Sequence, residues 1–139
     1  MFTTGMVGYV ESLSDPSYVG QILVFTSPLI GNYGVPNRQF FESEKIQAAG
    51  VVVSEYSEEY SHYTAKRSLS SWLREAGVPG LTGIDTRALT KKLRTHGVML
   101  GAIVRDKQVP KKFHDPNDEN LVARVSIKKP ETYGDGPHR

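Results

Sequence analysis

The sequence predicts an α/β domain, and three observations predict it. Short continuous apolar runs at 21–26 (QILVFT), 50–53 (GVVV) and 98–104 (VMLGAIV) have the length and composition of buried strands. Segments between them carry apolar residues at helical spacing. Strands therefore alternate with helices, the order that builds a helix-covered sheet. With 139 residues, 38% hydrophobic and 23% charged, the chain has material for one domain with a modest core.

The elements follow in order. Residues 1–20 are rich in Gly, Ser, Thr and Pro and read as turns around a short helix at 9–13. The first strand run ends at Pro28, and Gly31-Asn32-Tyr33-Gly34 is a turn whose glycines can take positive φ. After the second run, Ala65, Leu69, Trp72, Leu73 and Ala76 fall on one helical face. Thr64 is its expected cap, and Gly77 and Pro79 its stop. Residues 81–84 are short and apolar. Asp85 caps the next helix, 86–96, with Ala88, Leu89 and Leu93 as its buried stripe. Its cations Lys91, Lys92, Arg94 and His96 gather near the C-terminal end, where the helix dipole favours them. The run 98–104 is a third buried strand. Asp115-Pro116 opens a last helix with Leu121, Val122 and Val125 on its apolar side. From Lys128 the chain is polar and rich in Gly and Pro, a linker.

Charge and motif content exclude several functions. Net charge is +2, with small basic clusters but no dense patch interleaved with aromatics, so no nucleic-acid partner is expected. Tyr56, Tyr60 and Tyr63 alternate with Glu55, Glu58 and Glu59, a mixture that repels phosphate. No run approaches a membrane span and no leader pattern precedes the domain, so no membrane partner is expected and a cytoplasmic location is. There is no cysteine, hence no zinc thiolate or thiol nucleophile. His62, His96, His114 and His138 are scattered without ligand spacing. Asp115, Asn117 and Glu119 open like a calcium loop, but the sixth position is Asn120 and the twelfth Ser126. The glycines 77, 80 and 83 match no nucleotide-binding pattern. From residues alone, no catalytic constellation, metal site or cofactor emerges.

Three segments nevertheless carry a specific likeness: TGMVGYVESLSDPSYVGQILVFTSPLIGNYG at 4–34, FESEKIQAAGVVV at 41–53, and GIDTRALTKKLRTHGVMLGAI at 83–103. In order, over most of 2–104, they resemble the small chain of carbamoyl phosphate synthetase, ahead of its amidotransferase domain. YSEEYSH at 56–62 and DPNDENLVARVS at 115–126 resemble the eukaryotic members, in which this region begins one long multifunctional polypeptide. The resemblance implies a swivelling β/β/α domain lacking its first strands, over residues 1–127, followed by a linker at 128–139 toward an amidotransferase domain. Both ends are expected to be cuts in a larger protein.

The resemblance also implies a role. The family is a ligase that makes carbamoyl phosphate from glutamine, bicarbonate and two ATP, for pyrimidine or arginine synthesis. A cysteine in the amidotransferase domain releases ammonia from glutamine, and an ATP-grasp synthetase uses it with ATP and Mg or Mn. The matching region has no catalytic residue, so this chain alone is expected to be inactive. Its expected partners are the amidotransferase and the synthetase domain or subunit of the same enzyme. One glutamine-binding residue carries over: the serine of the D-P-S-Y motif, here Ser17 in Asp15-Pro16-Ser17-Tyr18. A hydroxyl can donate to the carboxylate and accept from the ammonium of an amino acid. The alternatives are a pure scaffold that touches no glutamine, and a small stand-alone α/β protein that binds a metabolite.

Overall fold

A computed structural model describes residues 1–106 and 109–136. Four strands form one sheet in the order β1 (Phe2–Thr3), β2 (Ile22–Phe25), β3 (Gly50–Val52) and β4 (Gly80–Leu81). Every neighbouring pair is parallel, with Phe2 opposite Val24, Ile22 opposite Gly50 and Val51 opposite Gly80. Parallel neighbours need crossovers. Helix α1 (Tyr9–Ser14) lies in the first crossover and α2 (Leu69–Glu75) in the last. Helix α3 (Thr86–His96) follows β4, and the short α4 (Leu121–Val125) comes later. The α/β class read from the sequence is the class observed.

Alternation along the strands divides the buried residues between the two faces of the sheet. Leu23, Phe25, Val51 and Val53 join Tyr9, Val10 and Leu13 of α1 and Leu69, Trp72 and Leu73 of α2 in one cluster. Phe41 closes over Trp72, with ring centroids 4.7 Å apart. Val24 and Val52 are also buried but lie outside this cluster. Helix α3 approaches β2.

Several expectations are corrected. Helix α2 does not start at Thr64. Val35 donates to Arg67 O (2.9 Å) and Lys66 N donates to Val35 O (2.9 Å), which holds 66–67 extended. The helix begins only after Ser68, whose hydroxyl accepts from Ser71 N at 3.1 Å. Thr64 instead meets His62 Nδ1 at 2.7 Å. Asp85 does cap α3, accepting from Ala88 N at 2.8 Å. Its expected stripe is not buried, however: Leu89 and Leu93 are half-buried and Ala88 is exposed.

The run 98–104 is not a strand. It has no ladder partner among the described residues, and Val98 is 86% exposed. Apolar composition demands cover, but a strand also demands an edge to pair with. Only Ile103 is tucked in, its Cδ1 2.8 Å from where a Cβ on Gly50 would sit. Asp115-Pro116 opens a 3-10 turn, Pro116–Asp118, rather than a helix, with Asp115 Oδ1 accepting from Asn117 N at 2.9 Å. Helix α4 then has its own cap, Asn120, which accepts from Ala123 N at 2.9 Å. Residues 126–136 contain no helix or strand, and the end of the expected linker, with His138, lies outside the described residues.

Candidate functional site

Ser17 follows directly on α1, so the site begins with what holds that helix. Its sequence YVESLS buries Tyr9, Val10, Leu13 and Ser14, one face of a helix. The residue before it, Gly8, has no side chain to cap the first amides, and those donors need a partner. Tyr33 supplies it: its phenol oxygen accepts from Gly8 N at 2.8 Å and from Tyr9 N at 3.0 Å. The Tyr9 hydroxyl returns the contact, donating to Gly34 O at 2.7 Å. The two rings stack with centroids 4.1 Å apart. Two phenols thus clasp the start of α1 to the 31–34 turn.

Burial pushes both phenols above their ordinary range; for Tyr9 the neighbouring Tyr33 adds to it. The neutral forms are therefore favoured in the folded chain. Folding then holds more protons than the unfolded chain does above about pH 10, the ordinary phenol value, and stability falls as pH rises past it. Thermal melts are expected to be level from these two groups up to about pH 10 and to drop beyond it. A Tm that stayed level through about pH 11 would contradict the burial of the clasp.

The other end of α1 is tied by a buried polar knot. Ser14 is fully buried; its hydroxyl donates to Val10 O at 2.9 Å and accepts from Glu42 N at 3.0 Å. Ser14 O accepts from the Ser43 hydroxyl at 2.5 Å, and Leu13 O accepts from Gln47 N at 2.8 Å. Gln47 Nε2 in turn donates to Ser43 Oγ at 2.9 Å. Two of the carbonyls that a helix leaves unpaired at its end, Leu13 O and Ser14 O, are thereby satisfied by residues 42–47.

The Asp15-Pro16-Ser17-Tyr18 turn comes next. Pro16 opens a 3-10 turn, Pro16–Tyr18, and Asp15 Oδ1 accepts from Ser17 N at 2.7 Å. Val19 N donates to Pro16 O at 3.2 Å, and Gln21 Nε2 donates to Ser17 O at 3.0 Å. The backbone of Ser17 is held on both sides, while its side chain is exposed. Among the described residues, no hydrogen-bond partner meets its hydroxyl. The turn also has a neighbour that periodicity did not indicate: Pro116 packs on Gly20, its Cβ 3.4 Å from where a Cβ there would sit.

Among the described residues, the other polar groups form no second site. His62 pairs with Thr64, His96 Nδ1 donates to Lys92 O at 2.9 Å, and His114 lies 2.9 Å from Glu119. Arg124 and then His114 hold the Glu119 carboxyl below the usual carboxylate range. Among the described residues, no three His, Asp or Glu converge as a metal site would require. A cavity of about 350 Å³ lies between α2 and the β4 edge, lined by Val51, Val53, Leu69, Leu73 and Leu81, with Arg74 at its side. It holds no acid–base pair and does not include Ser17. No helix among the described residues is long and apolar enough to cross a membrane.

Sequence reading put Ser17 forward as a candidate but did not indicate Tyr33, Ser14 and Asp15 as supports of its turn. A tyrosine between two glycines was the available signal for Tyr33. Ser14 and Asp15 act through partners remote in sequence or through turn geometry, which spacing does not report.

Comparison with known proteins places this geometry in context. The family profile described as carbamoyl-phosphate synthase small chain, CPSase domain, matches residues 1–103. The chain is 47% identical over 169 residues to the multifunctional protein ura1 of Schizosaccharomyces pombe, covering 99% of this chain and 7% of that protein. It is 50% identical over 139 residues to the carbamoyl phosphate synthase arginine-specific small chain of Saccharomyces cerevisiae, covering 94% and 34% respectively. It is 50% identical over 146 residues to a protein of Aquarana catesbeiana named "Carbamoyl-phosphate synthase [ammonia], mitochondrial", covering 98% and 10%. The chain thus spans 34% or less of the length of each of these relatives.

Proposed function

Because the chain belongs to the carbamoyl-phosphate synthase small chain family, we propose that it is a non-catalytic domain of a glutamine-dependent carbamoyl phosphate synthetase. In this reading residues 1–127 pack the amidotransferase domain against the synthetase, and 128–139 lead toward the amidotransferase. The enzyme is a ligase, making carbamoyl phosphate from glutamine, bicarbonate and two ATP. Thioester chemistry on glutamine needs a thiolate, and this chain has no cysteine; the reaction belongs to the neighbouring domains. The fold in this reading is the swivelling β/β/α domain, and the exposed apolar side chains of Val98, Met99 and Leu100 are surface that a neighbouring domain can cover.

One observation carries the glutamine part of the reading. The Ser17 hydroxyl stands exposed on a turn whose backbone is fixed by Asp15 and Gln21. It meets no partner among the described residues and is available as both donor and acceptor, as an amino-acid ligand requires. The neighbouring Asp15 carboxylate adds a negative field that suits an ammonium.

The test is Ser17→Ala in a complete enzyme carrying this domain. Losing a hydrogen bond to a charged ligand group costs about 1.5–3 kcal/mol, roughly a tenfold to hundredfold fall in glutamine kcat/KM. Synthesis from added ammonia bypasses the contact and is expected to keep its rate. Equal losses with both nitrogen donors would make Ser17 a structural serine.

A second reading, a scaffold that touches no glutamine, is favoured by the relative whose name specifies ammonia and which is 50% identical. No change in either assay would establish that reading instead.

A further inference from the structure

We propose that Ser14 is a positioning residue for glutamine, acting through Ser17; the inference rests on the glutamine reading of Ser17. Ser14 is the last residue of α1 and is fully buried. Its hydroxyl joins the end of α1 to the remote segment beginning at Glu42. It donates to Val10 O at 2.9 Å within the helix and accepts from Glu42 N at 3.0 Å outside it. Its carbonyl completes the link by accepting from Ser43 Oγ at 2.5 Å. The next residue is Asp15, whose carboxylate sets Ser17 N at 2.7 Å. The chain of fixed contacts therefore runs from residues 42–43, through Ser14 and Asp15, to the backbone that carries the Ser17 hydroxyl.

Consider removal of the Ser14 hydroxyl. Glu42 N–H is left without its acceptor, and an unmet polar group drives local rearrangement or water entry. Segment 42–43 can then move relative to α1. The turn itself keeps its Asp15 cap, so its shape survives while its direction loosens. A hydroxyl aimed poorly at a ligand weakens binding before it impairs the chemistry, and small misplacements suffice. The signature is a raised KM for glutamine with kcat largely kept.

The experiment uses a complete glutamine-dependent enzyme carrying this domain, assayed with glutamine and separately with ammonia. Ser14→Ala is expected to raise the glutamine KM about 3–10-fold and to leave the ammonia-driven rate in place. Ser14→Thr keeps the hydroxyl and is expected to restore the KM. Combining Ser14→Ala with Ser17→Ala should add no loss beyond Ser17→Ala alone, because both remove one contact. Additive losses, a Ser14→Thr variant as poor as Ser14→Ala, or an equal fall with ammonia would each overturn the inference while leaving the Ser17 reading intact. Should Ser14→Ala fail to fold, Ser43→Ala probes the same link, with a glutamine KM rise of roughly twofold expected and an unchanged KM overturning the proposal. If Ser17→Ala itself has no effect on glutamine use, the underlying reading fails, and this inference with it.

Discussion

Phe25→Ala is expected to destabilise the domain by about 3–5 kcal/mol, the usual cost of emptying a large aromatic site in a core. Phe25 is the last residue of β2 and 2% exposed, within the cluster that joins the sheet to α1 and α2. Total stability of domains is about 5–15 kcal/mol, so the substitution consumes a large part of it. Urea unfolding of the chain, followed by the Trp72 signal, reads the shift in midpoint. Phe40→Ala is the control. Phe40 is 46% exposed, and its loss should cost less than about 0.5 kcal/mol. Similar midpoints for the two variants would mean that the sheet–helix cluster does not set stability.

Gly34→Ala is expected to cost about 2–5 kcal/mol, from two sources. Gly34 has φ +68°, which costs a residue with a Cβ about 1–2 kcal/mol. A Cβ there would also lie 2.8 Å from Tyr60 Cδ2, 2.9 Å from Ala65 Cβ and 3.0 Å from Arg67 O. Tyr60 is an exposed side chain and can swing away, but Arg67 O is backbone held by Val35 N at 2.9 Å. Overpacking of this kind adds about 1–3 kcal/mol. Gly77→Ala separates the two sources, because Gly77 has φ +66° with nothing within 4 Å of an added Cβ. Thermal melts should show the larger loss at Gly34, and equal losses would mean that the turn yields without resistance. Because Gly34 O receives the Tyr9 hydroxyl, the substitution should also loosen the clasp on α1.

The pattern of what sequence revealed follows the range of the forces involved. Strands β2 and β3 and helix α3 were legible because each is announced by its own residues: a β-branched run, or Asp85 one position ahead of a periodic segment. The start of α2 was not. Thr64 and Ser68 are both acceptable caps in isolation, and the choice was made by Val35, thirty or so residues away, which holds 66–67 extended. The run 98–104 was misread for a related reason. Its apolarity is a local property, whereas strand formation depends on a partner edge. The stripe of α3 shows the same limit, since Leu89 and Leu93 mark a face that can be covered without saying how far it is.

The site divides in the same way. Ser17 was reached through likeness to a family, not through its chemistry, since an exposed turn serine is ordinary. What sets it apart is a backbone held on both sides. Tyr33, Ser14 and Asp15 hold the helix and turn that carry it, and two of the three do so through residues more than twenty positions away.

The parallel sheet has a consequence for the route to this structure. Each strand pairs with a neighbour more than twenty residues distant, as in Phe2 with Val24 and Ile22 with Gly50. No hairpin is available to nucleate the sheet cheaply, and every ladder must first close a long loop, whose entropic cost is met before any contact rewards it. Such a chain folds more slowly than a helical bundle of its size, because parallel pairing is intrinsically slow. During that interval apolar strand segments are uncovered, and on a ribosome β1 must wait for β2 to emerge before it has anything to pair with.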